Sequence, residues 1–204
     1  MLRRLLQLYI GLVLYGVSTA LFVHANLGAD PWDVFHLGEA KQLGISFGTV
    51  IILTGAAVLL LWIPIRQMPG LGTVSNVIVL GLAADATLAV LPPLESLVAR
   101  SVLLVGAIVL NAIATGMYIG AGFGPGPRDG LMTGLHARTG WSLRGIRTAI
   151  ELSVLLIGWL LGGKFGVGTV IYALSIGPLI QLCLPWFSQP VSRNAVSPPR
   201  EIVS

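Results

Sequence analysis

Carboxylates and amides set inside apolar runs are the residues of this chain best placed to do chemistry. Asp85 and Glu151 each lie within a long apolar stretch, as do Asn76, Asn111 and Gln181. A charged carboxylate at a bilayer centre costs about 2.5–3.5 kcal/mol on insertion scales, so each needs a partner, a proton or a wet cavity. Glu151 follows Arg147 by four residues, which predicts an ion pair on one helix face. Asp85 has no cation nearby in sequence. It is a candidate proton or cation site, or a hydrogen-bond partner of Asn111 or Gln181. Two tetrapeptides add to this set, Asp30-Pro31-Trp32-Asp33 and Gly126-Pro127-Arg128-Asp129. Both read as helix starts. Asp30 is placed as an N-cap, Pro31 and Pro127 as first helical residues, and Asp33 and Asp129 as acids taking backbone donors near the positive helix end. The functional reading sets these two starts against each other at mid-depth, where broken-helix ends bind ions or anionic groups. The candidate substrate or ion site is therefore Asp33, Asp129, Asp85, Asn111 and Gln181, with Asp30, Pro31 and Pro127 as structural caps.

Other chemistries find little support. His24, His36 and His136 have no cysteine companions, and Cys183 stands alone in an apolar run. No metal centre and no internal disulfide are expected. His36 follows Asp33 by three residues, but its expected place is the membrane interface, as for His24. Trp32, Trp62, Trp141, Trp159 and Trp186 are expected mostly near span ends, as an aromatic belt. The glycine-rich segments continue neither to GxGxxG nor to GxxxxGK[ST]. HExxH and GxSxG are absent as well. The expectation is a protein with no catalytic residue, no cofactor and no enzymatic role.

The elements that position these residues follow from composition. Hydrophobic residues make up 55% of the 204 and charged residues 10%. A soluble domain carries about 25% charged residues, so a water-facing fold is excluded. The apolar runs are continuous rather than alternating, which excludes a transmembrane β-barrel. Six runs approach the roughly 20 residues a crossing helix needs. They are Leu5–Val23, Phe47–Ile65, Leu71–Leu91, Val102–Ala121, Leu143–Leu161 and Val167–Phe187. The connections Asn26–Ser46 and Gly122–Ser142 each carry a short proline-led helix, either re-entrant or interfacial. Arg3 and Arg4 before the first run, with Ser18-Thr19-Ala20 in it, resemble a signal peptide. The repeat described next makes that run a structural unit instead.

Residues 13–90 align with 109–186 without a gap, with 19 identities in 78 positions. Gly28, Pro31, Asp33, Gly38, Gly44 and Ser46 match Gly124, Pro127, Asp129, Gly134, Gly140 and Ser142. Gly70, Gly72, Thr73, Val74 and Gly81 match Gly166, Gly168, Thr169, Val170 and Gly177. Three spans per repeat require the second copy to enter the membrane from the opposite face, as in many secondary transporters. With the N-terminus cytoplasmic, nine arginines (Arg3, Arg4, Arg66, Arg128, Arg138, Arg144, Arg147, Arg193, Arg200) lie inside, against Lys41, Arg100 and Lys164 outside. That satisfies the positive-inside rule.

The repeated pattern resembles the YitT/YczE-type bacterial membrane proteins, the YczE type more closely. It is carried by Leu27-Gly28-Ala29-Asp30-Pro31-Trp32-Asp33, Gly44-Ile45-Ser46-Phe47-Gly48 and Gly70-Leu71-Gly72-Thr73, with their second-half counterparts. The resemblance implies a multi-pass protein of the bacterial cell (inner) membrane and supplies no substrate or catalytic residue.

The resulting expectation is an all-α polytopic membrane protein of six transmembrane helices, built as two inverted-topology three-helix repeats. Residues 1–96 form the first repeat, 97–187 the second, and 188–204 a disordered cytoplasmic tail. A short proline-capped helix follows the first span of each repeat, and both termini are cytoplasmic. The expected function is a small-molecule or ion transporter. The alternative is a membrane accessory protein that supports another complex and moves nothing. Expected partners are the lipid bilayer, an unidentified small molecule or ion, and a second copy of the chain as a homodimer. Nucleic acid is not expected.

Overall fold

The computed structural model describes residues 1–188, and the expected tail lies outside them but for Ser188. Among the described residues the chain is helical throughout. The elements are α1 (Leu2–Ala25), α2 (Pro31–Leu43), α3 (Phe47–Leu60), α4 (Trp62–Ile65), α5 (Leu71–Val90), α6 (Leu97–Gly120), α7 (Pro127–Thr139), α8 (Leu143–Leu160) and α9 (Val167–Phe187). The helix starts after residues 30, 46 and 70 recur after residues 126, 142 and 166, an offset of 96. The signals recur with them. Ser46 and Ser142 accept from the backbone N–H of Thr49 and Gly145, each satisfying one orphan donor of a helix start. Gly44 and Gly140 end α2 and α7 in the left-handed conformation, the usual glycine stop.

Five helices are long and apolar enough to cross a membrane: α1, α3 continued through α4, α5, α6 and α9. The remaining expected span is α8, an 18-residue helix. Arg144, Arg147 and Glu151 in its first half keep it below that apolarity. Two boundaries differ from expectation. The span expected to begin at Val102 begins at Leu97, because Ser96 caps it and Arg100 sends its guanidinium to the carbonyls of Ala25 and Asn26 rather than to water. The span from Phe47 breaks at Leu61, three residues before Pro64, whose ring removes an intrahelical donor.

The halves hold each other by reciprocal bonds. Arg4 on α1 reaches the carbonyls of Ala121 and Gly122 after α6. Arg100 on α6 makes the counterpart bonds to Ala25 and Asn26 after α1. Gly72 donates its N–H to Phe123 and Gly168 donates to Leu27, both at 2.8 Å. The start of each long helix thus lies against the end of the other, so α1 and α6 run antiparallel. The chain leaves their far ends through tight turns. Gly28 and Gly124 sit at φ +107° and +113°, and a Cβ on Gly28 would meet the Gly166 backbone at 2.7 Å. Only glycine combines that conformation with that approach.

These connectors run inward. A 24-residue helix is about 36 Å long, and five to seven residues of extended chain reach at most roughly 18–25 Å. Yet Arg128 at the start of α7 lies 3.4 Å from Asp30 at the start of α2. The two helix starts, fed from opposite ends of the molecule, meet at intermediate depth.

Candidate functional site

Where they meet lies a cavity of about 250 Å³. Tyr15 of α1, Thr54 of α3, Asn76 of α5, Tyr118 of α6, Glu151 of α8 and Tyr172 of α9 contribute to its walls, together with residues at the starts of α2 and α7. Every long helix supplies part of it.

Asp30 is the N-cap of α2, its Oδ1 accepting from Asp33 N–H at 2.7 Å. Pro31 and Pro127 occupy the first helical positions. Gly126, the counterpart of Asp30, has no capping side chain. The start of α7 is held instead by Trp62, which donates its Nε1–H to the Pro127 carbonyl at 3.1 Å. This use buries Trp62 to 1% exposure and removes it from the interfacial belt the sequence suggested.

Arg128 crosses from α7 to α2. Its Nη1 lies 3.4 Å from Asp30 Oδ2 and its Nη2 3.9 Å from Asp33 Oδ1. Its guanidinium also sits over the Trp32 ring, 4.9 Å from the centroid. A planar, weakly hydrated cation suits this combination of two carboxylates and an aromatic face.

Asp33 does not take backbone donors. Both of its oxygens are buried without a hydrogen bond, as are His36 Nδ1, Trp32 Nε1 and Thr115 Oγ1. His36 Nδ1 lies 3.5 Å from Asp33 Oδ1, and the ring is buried rather than interfacial. α2 is not one of the crossing helices. Burial pushes the Asp33 carboxyl up while Arg128 pulls it back. Burial first, then Arg128, pushes the His36 imidazole down. The two groups are buried side by side, with Arg128 as the nearest fixed charge to Asp33.

Asp129 is the exposed carboxylate of the cavity. It accepts a hydrogen bond from the buried Tyr118 hydroxyl at 2.8 Å, and it too lacks the backbone donors its position suggested. Arg147 and Glu151 pair at 2.8 Å on the α8 wall.

The other candidates lie elsewhere. Asp85 sits against the start of α3, accepting from Ser46 Oγ and from Gly48 N–H. It caps a helix and bonds to neither Asn111 nor Gln181. Asn111 is buried behind the wall, donating to Ser18 Oγ at 2.9 Å and accepting from the Tyr172 hydroxyl at 3.3 Å. Gln181 is exposed on α9. The structure thus sets Asp129 on the cavity wall and Asp33 behind it against Arg128, and leaves Asp85 and Gln181 out of both places. Sequence reasoning missed Arg128, Trp32, Tyr15, Tyr118 and Tyr172. Arg128 stood in the matched motif but was counted as a loop charge.

Residues 2–185 match a family described as "Family of unknown function (DUF6198)". A relative from Haemophilus influenzae, described as an uncharacterized protein, is 38% identical over 177 residues, covering 87% of this chain and 81% of the relative. The membrane protein YczE of Bacillus subtilis is 30% identical over 179 residues, covering 87% and 83%. YyaS of the same organism is 23% identical over 180 residues, covering 86% and 90%. The chain belongs to this YczE-like family of membrane proteins. No solved structure matches it. Family membership agrees with the resemblance carried by the duplicated motifs, and its match runs through both helix starts at the cavity.

Proposed function

We propose that the chain carries a small molecule or ion across the membrane through the cavity between its halves. The carrying observation is the cavity walled by helices of both halves and entered by two helix starts from opposite ends. In this reading α8 is the sixth crossing, with Arg147 and Glu151 neutralising each other at the wall. The halves are inverted repeats, a reading supported by the reciprocal bonds of Arg4 and Arg100 and by the antiparallel run of α1 and α6. Rocking one half against the other exposes the cavity to each side in turn.

The N-terminus is cytoplasmic. The positive-inside argument for this is narrower than the sequence count. Arg128 and Arg147 belong to the cavity, and Arg193 and Arg200 lie outside the described residues. Arg3, Arg4, Arg66, Arg138 and Arg144 remain on the inner end, against Lys41, Arg100 and Lys164 on the outer. The sign is kept.

The test is flux in proteoliposomes offered methylammonium, acetate and glycerol in turn. Wild-type protein is expected to pass one class faster than empty vesicles. Asp129→Asn is expected to slow that flux about tenfold or more, the loss of one charged hydrogen bond. Asp85→Asn keeps it. Sealed vesicles for every class overturn transport and leave the accessory role.

A further inference from the structure

We propose that the cavity's ligand is a small organic cation, an amine or quaternary ammonium group, held by Asp129 among the tyrosines. The inference deepens the transport reading and rests on the same cavity.

The argument begins with the offset of 96. Asp33 corresponds to Asp129, and Trp32 corresponds to Arg128. On one side of the meeting point Arg128 reaches across to the carboxylate of the opposite half. The equivalent residue that would reach across to Asp129 is Trp32, which has no charge. Among the described residues no side-chain cation lies within ion-pair distance of Asp129, and Arg147 acts on it only from farther off. Arg128 is engaged by Asp30 and Asp33, and Arg147 by Glu151. Against those two guanidinium groups the walls set three carboxyl groups, Asp30, Asp129 and Glu151, with Asp33 buried behind Arg128. The walls favour positive charge.

The chemistry of the walls narrows the class. The Tyr15 and Tyr118 rings stack with centroids 6.0 Å apart, and Tyr118 also holds Asp129. Aromatic faces beside a carboxylate form the environment that recognises alkylammonium groups. Arg128 over Trp32 displays the same combination within the chain. Thr115 Oγ1 and Trp32 Nε1 belong to wall residues at least nine-tenths buried, and neither has a hydrogen-bond partner. Of the two, the Thr115 hydroxyl can accept from an ammonium N–H, whereas the indole N–H only donates. At about 250 Å³ the space is just below the range of drug-sized pockets, roughly 300–1,000 Å³, which limits the ligand to a small molecule.

The test is thermal unfolding of the purified full-length protein in detergent. The probes are tetramethylammonium chloride, methylammonium chloride, sodium acetate and tert-butanol, at matched ionic strength. The cations are expected to raise Tm in a saturable way, while tert-butanol, the neutral isostere, and acetate do not. Asp129→Asn weakens the effect about tenfold or more, and Asp129→Glu retains most of it. Equal shifts from tert-butanol or acetate overturn the proposal, as does an undiminished cation response in Asp129→Asn. Should Asp129→Asn fail to fold, the wild-type comparison of cation with isostere decides alone. Cation binding without flux ends the transport reading and keeps this one. Acetate flux without cation binding does the reverse.

Discussion

At the residue scale, Arg128 carries the largest electrostatic load. It neutralises two carboxylates of the other half and covers an indole face. Removing one partner of a desolvated pair leaves the other charge stranded. Arg128→Gln is therefore expected to lose about 2–5 kcal/mol of stability, read by denaturant titration in mixed micelles. Arg128→Lys should fall between, because an ammonium cannot serve two carboxylates and a ring as a planar group does. Equal stability of wild type and Arg128→Gln would show that Asp30 and Asp33 need no counter-charge. The sequence located the acids of the site but not this cation. An arginine beside a proline in a connector looks like a loop charge, and nothing local indicates that the connector turns inward. Asp85 misled for the opposite reason. Its partners, Ser46 and Gly48, are 39 and 37 residues away in sequence, so it looked unpaired.

At the scale of elements, α2 is fixed by its close approach to α8. A Cβ on Gly158 would stand 2.4 Å from Phe35 Cα, and one on Gly38 would stand 2.6 Å from the Gly158 carbonyl. Backbone cannot yield as a flexible side chain can. Gly158→Ala is expected to cost about 1–3 kcal/mol as an overpacked contact and to lower cation binding by shifting α2. Gly106→Ala, where nothing lies within 4 Å, is the matched control and should leave unfolding unchanged or raised. Long helices were legible because hydropathy and caps agree. Ser46 and Ser142 mark the starts of α3 and α8, and Gly44 and Gly140 the stops of α2 and α7, in sequence and in space. The early start of α6 was not legible, since it depends on Arg100 finding carbonyls on another helix.

At the scale of the whole molecule, the proposed inverted arrangement makes a sharp prediction about sidedness. Lys41 and Ala137 occupy equivalent exposed positions on α2 and α7. In a Cys183→Ser background, Lys41→Cys is expected to react with a membrane-impermeant maleimide from outside intact cells. Ala137→Cys should react only after the membrane is opened. Reaction of both from the same side would overturn the inverted reading and the alternating cavity with it. The duplication itself was plain in the sequence, because glycines and prolines mark turns that both halves reuse. That the two inward turns meet was not, since it depends on contacts that no single half contains.

The 98 residues separating Arg128 from Asp30 also set an order of events at the ribosome. The amino-terminal half enters lipid first and must wait there with an acidic pair whose counter-charge has not yet been translated. Until that arginine emerges, the nascent chain is an unfinished enclosure, open to chaperones and to quality-control proteases. A message cut after the first half is expected to yield a product that turns over faster than the full chain, as read by pulse-chase labelling.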